Sequence, residues 1–218
     1  LWIAVCSNNL AATLIDLGQF ARARRTLDYP PPSVNHVSAR GALLSARVDR
    51  LLGASPAAAL QRAAAELARG DDFYMGALLD LERAETLEAT EALLLADTVA
   101  RAAEQREYGG IAVKARVVAA RAALSAGDAA AAAERWNEIE PALATLQAAD
   151  CYPLAPAAAG LEILLAAGER QRASAVLGHA LAWLRQIALP RVPEAFRDSF
   201  LQRNPVNRAL LAAESRLR

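Results

Sequence analysis

Lysine is almost missing from these 218 residues: Lys114 stands alone among 24 basic side chains, the rest being arginine. That bias reads as compositional background. Cys6 and Cys151 are too few and too far apart for a disulfide framework or a thiolate metal site. The expectation is two reduced thiols in a cytoplasmic protein. His36 and His179 are the only histidines, and neither has a Cys or His neighbour at ligand spacing. His36 reads as solvated in a polar loop, His179 as a satisfied core or rim residue in a helix stripe. Aromatic residues make up 5% of the chain and the net charge is zero. Without a basic field and interleaved aromatics, the usual means of holding nucleic acid or an anionic membrane are missing. No charge-free apolar run of about 18 residues suggests a membrane span. No glycine-rich phosphate loop with a following lysine occurs, nor a GxSxG elbow, so neither catalysis nor a cofactor is expected.

What is present is helix-forming. The chain is 55% hydrophobic and 22% charged, a globular balance. No segment alternates with period two, which argues against strands. A unit recurs instead: helix, short glycine turn, helix. It shows in "DLGQFARA" at Gly18, "LLGASPAAAL" at Gly53, "SAGDAAAAA" at Gly127 and "AAGERQRASA" at Gly168. The long gap after Gly53 predicts a further turn near residue 87, in "ETLEATEAL". Ser55 and Asp128 read as helix N-caps, with Pro56 in the first turn. Apolar stripes follow each turn: Leu60, Ala64 and Leu67; Ala92, Ala96 and Val99; Leu177, Ala180, Leu181 and Leu184. Paired helices recurring in the thirties of residues indicate an α-solenoid.

These units resemble tetratricopeptide repeats over roughly residues 1 to 187. Phe20 and Ala23 stand after Gly18 where that family has an aromatic and a small residue. Ala58, Ala92, Ala132 and Ala173 keep the small position, and Trp136 and Leu177 occupy a large apolar one. The family's early tryptophan is missing throughout. The resemblance implies an all-α superhelix of about five helix pairs. Its first helices would line a concave groove that binds a protein segment.

Polar side chains at the corresponding places are Asn8, Asn9, Arg40, Arg47, Arg50, Lys114 and Arg121. Arg40 and Arg47 share one helix face, as do Lys114 and Arg121. A groove so lined would suit an acidic peptide or a small anion. Arg22, Arg24 and Arg25 form a second basic group. The acidic cluster Asp80, Glu82, Glu85, Glu88 and Glu91 reads as a solvated helix end.

Two loops interrupt the pattern: "DYPPPSVNH", extended by Pro30 to Pro32, and "DCYPLAP" at Asp150 to Pro156. Past residue 189 the pattern changes. Pro190 and Pro193 stop the last repeat helix, Asn204 reads as an N-cap, and Phe196, Phe200 and Leu201 form an apolar face. Residues 190–218 thus read as two helices capping a repeat domain of residues 1–189. "FRDSFLQRNPVNRALL" resembles the tail that closes the tetratricopeptide region of large bacterial transcriptional regulators and signalling ATPases. That resemblance implies a non-catalytic sensor or interaction arm in signal transduction. DNA-binding and ATPase domains would lie upstream in a longer polypeptide. A small-molecule site inside the superhelix is the second reading. Leu1, Trp2, Ile3 and Val5 form an apolar start through which the fragment is expected to dimerise.

Overall fold

The computed structural model describes residues 1–29, 34–143 and 147–217. Among these, all regular structure is helical, and helices pack in neighbouring pairs. The pairs are α1 (Trp2–Asp16) with α2 (Phe20–Thr26), α3 (Asn35–Leu51) with α4 (Ala57–Leu67), and α5 (Phe73–Ala84) with α6 (Ala89–Gln105). Then come α7 (Gly109–Ser125) with α8 (Ala129–Leu143), and α9 (Ala155–Ala166) with α10 (Arg170–Trp183). A π-helical turn (Leu184–Ala188) and a 3-10 turn (Leu189–Arg191) lead to α11 (Glu194–Gln202) and α12 (Pro205–Leu217). No described helix is long and apolar enough to cross a membrane. The triple proline lies outside the described residues.

The glycine turns share one geometry. Gly18, Gly53, Gly127 and Gly168 all have positive φ, between 70 and 87°. In each, the next amide reaches back five residues, as Gln19 does to the Leu14 carbonyl at 2.8 Å and Glu169 to Leu164 at 2.8 Å. This satisfies carbonyls that the ending helix leaves free. The glycine-free turn near residue 87 is also present, between α5 and α6. Asp128 caps α8 by accepting the Ala131 amide at 2.8 Å.

Alanine sets the spacing between helices. Ala96, Ala103, Ala115 and Ala119 are fully enclosed where α6 meets α7. A methyl at each contact lets the two backbones approach closely, and a larger side chain would push them apart. Ala23, Ala92, Ala132 and Ala173 are buried as the spacing requires, but Ala58 is exposed and Ala59 buried instead. The cause is local: α4 starts four residues after Gly53, whereas the helices after Gly18, Gly127 and Gly168 start two residues on. Trp136 is 1% exposed, and its ring lies flush against Gly160 of α9.

First helices also pack on one another in sequence, α1 on α3, α3 on α5, α5 on α7 and α7 on α9. The closing helices then do more than cover the last pair. α12 packs on α9 and α10, while the α11–α12 corner docks on the turn between α1 and α2. Ser199 Oγ donates to the Leu17 carbonyl at 2.7 Å, and Gln19 Nε2 donates to Ser199 Oγ at 2.7 Å. Asn204 caps α12 through the Val206 and Asn207 amides, and its Nδ2 donates to the Asp16 carbonyl at 2.8 Å. The Arg22 guanidinium lies 5.2 Å above the Phe196 ring centroid. Some 180 residues apart in sequence, the two ends of the chain meet.

Gly18 is what allows the approach. A Cβ there would stand 2.4 Å from the Ser199 carbonyl oxygen and 2.9 Å from Arg203 Cβ. Behind the corner, Asn207 is fully buried. It accepts from the Tyr152 hydroxyl at 3.0 Å and donates to the Phe200 carbonyl at 2.9 Å. Tyr152 in turn packs edge-on against Phe200 and Trp183.

Candidate functional site

Meeting of the ends leaves a cavity of about 910 Å³, bounded by α1, α3, α5, α7, α9 and α12. Its walls divide by chemistry. The α3, α5 and α7 side carries Arg47, Arg50, Glu82, Glu85, Lys114 and Arg121. The α9 and α12 side is mainly small and apolar, with Pro156, Leu161, Leu165, Val206 and Ala212, and carries Glu162, Arg208 and Arg216 among them.

Glu82 is the hub of the charged wall. It is 5% exposed. Its Oε1 accepts from Arg47 Nε at 3.1 Å and Nη2 at 2.5 Å, and its Oε2 accepts from Arg50 Nη2 at 3.1 Å. Burial by itself would raise its pKa. Arg47, Lys114 and Arg50 outweigh burial and hold the carboxyl down to about 2. Arg121 donates to Glu85 at 3.0 Å, and Arg50 reaches the same carboxylate at 3.4 Å.

Asp150 enters from the segment between α8 and α9. The Ala149 amide donates to the Gly110 carbonyl at 2.9 Å, tying that segment to the start of α7. Asp150 then accepts from Arg40 Nη2 at 2.8 Å and lies 3.6 Å from Arg47. Burial opposes its ionisation, but Arg47, Arg40 and Lys114 hold its pKa below the usual aspartate value. Arg47 is pinned between Glu82 and Asp150, which raise its pKa against the effect of burial. Asp16 is different: burial pushes its carboxyl up to about 6, with only Arg47 pulling it down.

Four residues chosen from sequence line the cavity: Arg47, Arg50, Lys114 and Arg121. Arg40 belongs to the same charge network through Asp150 but does not line the space. Asn8 and Asn9 do not belong there. Asn8 is buried; it donates to the Val37 carbonyl at 2.9 Å and accepts from the Tyr29 hydroxyl at 2.6 Å. It joins α1 to α3 beside Gly41, a structural task. Asn9 is exposed on the outer side of α1. His36, in the first turn of α3, and His179 are both exposed, so His179 is not a core residue. Arg24 of the second basic group pairs with Asp49.

The acidic cluster divides: Glu88 and Glu91 stand exposed at the start of α6, as a solvated helix end requires, but two members correct that reading. Glu82 and Glu85 face inward, each meeting an arginine 35 residues earlier: Glu82 with Arg47, Glu85 with Arg50. Arg121 meets Glu85 across 36 residues. Those separations are close to the spacing from one helix pair to the next, so opposite charges about 35 residues apart on α3, α5 and α7 were the available signal. Asp16 and Asp150 left no such trace. At the N-terminus, Trp2 and Ile3 are 78% and 76% exposed.

No family model, curated protein or solved structure matches this chain.

Proposed function

We propose that this chain is a non-catalytic sensor arm of tetratricopeptide type, a superhelix closed on itself, whose ligand is a small molecule held in the central cavity. The observation that carries this is the contact of the α11–α12 corner with the α1–α2 turn around a space of about 910 Å³. That volume falls in the range of sites that enclose small ligands, and the mixed wall has the usual form of such sites: apolar surface with a few convergent polar groups. Binding of an acidic protein segment is less well supported, because Arg47, Arg50 and Arg121 already face Glu82 and Glu85. Such a segment would have to displace partners that are already in place. The signalling role, as the regulatory arm of a larger transcriptional regulator, rests on the resemblance of the closing passage. Ligand-dependent tightening of the contact between the two ends would be the state passed on.

Nile red, a neutral apolar dye, tests the cavity. One saturable site per chain is expected. Ala212 is exposed to the cavity from α12, so Ala212→Trp should block the space without loss of helicity. Unchanged dye binding in that variant, or tight binding of a glutamate-rich peptide that leaves the dye in place, would refute the reading.

A further inference from the structure

Lys114 lies on α7 with its Nζ buried and without a hydrogen-bond acceptor. One carboxylate oxygen is within ion-pair range, Glu82 Oε1 at 3.9 Å. That oxygen already takes both Arg47 bonds, and its twin takes the Arg50 bond. An ammonium has three donors, and burying them unmet is unfavourable. The residue lines the cavity, so the space beside it is where an acceptor could come from.

Every other basic residue in the chain is arginine. A guanidinium forks onto a fixed carboxylate, as Arg47 does on Glu82, whereas an ammonium is a compact point charge that an incoming oxygen can approach from several directions. Six basic side chains line the cavity against four acidic ones, and among the described residues Arg208 and Arg216 of α12 have no carboxylate partner. The field therefore favours an anion. Glu82, Glu85 and Asp16 limit how much negative charge can enter beside Lys114, which favours a singly charged group over a phosphate dianion. The apolar wall of α9 and α12 calls for a hydrocarbon body.

We infer that the cavity receives an amphipathic carboxylate, its acid group seated on Lys114 and its apolar body lying along α9 and α12. The inference rests on the cavity reading above and gives that site its ligand class. The buried ammonium is also held below its usual pKa, first by burial and then by Arg47, so an incoming anion would raise it again.

Displacement of Nile red from the full chain separates the two claims. The competitors are decanoate, decanol, decyltrimethylammonium and 1-naphthylacetate. Decanoate should displace the dye at about tenfold lower concentration than decanol or less, the scale of one charge-assisted hydrogen bond. The quaternary ammonium should be weakest. Naphthylacetate, with the same acid group on a ring body, should also displace the dye ahead of decanol. Lys114→Met should erase the preference for acid over alcohol while Nile red still binds, and Lys114→Arg should restore part of it. Equal displacement by decanoate and decanol, or a preference that survives Lys114→Met, would overturn the carboxylate assignment and leave the cavity intact. A native chain with no saturable dye site would overturn both.

Discussion

Replacing Gly18 and Gly53 separately with alanine isolates the contact between the chain ends. Both glycines have positive φ, 70° and 75°, so each substitution carries the same left-handed backbone cost of about 1 kcal/mol. They differ in surroundings. A Cβ at Gly53 meets nothing within 4 Å; at Gly18 it meets the Ser199 carbonyl oxygen at 2.4 Å and the Asn204 amide nitrogen at 3.0 Å. Those neighbours are backbone and cannot swing aside, so the corner must move away. It would take with it the bonds Ser199 to Leu17, Gln19 to Ser199 and Asn204 to Asp16. At about 1 kcal/mol each, Gly18→Ala should cost about 4 kcal/mol where Gly53→Ala costs about 1. Urea unfolding followed by helical circular dichroism reads the difference, and hydrogen exchange should speed up in α11 and α12 for the Gly18 variant alone. Equal costs, with α11 and α12 equally protected, would refute the reasoning.

Four further outcomes are expected. Glu82→Gln should destabilise by about 2–3 kcal/mol, because it leaves the Lys114 ammonium without an anion in ion-pair range and half-buried Arg47 with Asp150 alone; a chemical-denaturation midpoint close to wild type would contradict this. The same carboxylate has its pKa lowered from 4.5 to about 2, so it adds stability above pH 4.5 that is lost as pH falls through about 2, worth about 3 kcal/mol, and Glu82→Gln should remove that part of the acid limb. Asp16 has the opposite sign. Its pKa is raised from 3.8 to about 6, so the folded state keeps a proton the unfolded chain has released; stability present below pH 3.8 is lost as pH rises to about 6. Asp16→Asn should flatten that loss of up to about 3 kcal/mol, and a denaturation profile unchanged between pH 4 and 7 would count against it. Finally, Trp2 and Ile3 stand 78% and 76% exposed on α1. Sedimentation should show self-association that Ile3→Glu abolishes, and a clean monomer at high concentration would exclude it.

Helix positions were legible because their causes are local. Glycine turns, alanine spacing and the Asn204 cap each act within a few residues, and the turns at Gly18, Gly53, Gly127 and Gly168 stand where the sequence puts them. Ala58 went wrong for an equally local reason, the longer turn before α4. Contact between the ends was not legible. Ser199 and Asn204 carry no mark of a partner some 180 residues away, and Asn204 as an N-cap already had a sufficient local explanation. Arg47, Arg50, Lys114 and Arg121 line one cavity because α3, α5 and α7, the leading helices of successive pairs, pack in order and bring these positions to one side. Their acids were not legible locally, because Glu82 and Glu85 find their partners not in their own helix but 35 residues earlier, in Arg47 and Arg50. Asn8 shows the converse error: it occupies a groove-like register, yet its amide is consumed by Val37 and Tyr29.

A nuclear Overhauser experiment on the isotope-labelled chain bears on the closed architecture most directly. One Gly18 α-proton lies along the Cβ direction, and the Cβ site there is 3.0 Å from the Asn204 amide nitrogen. A cross-peak between the Gly18 α-protons and the Asn204 amide proton is expected. Its absence, with α12 showing cross-peaks to α9 and α10 alone, would mean that the ends stand apart and that the cavity is an open groove.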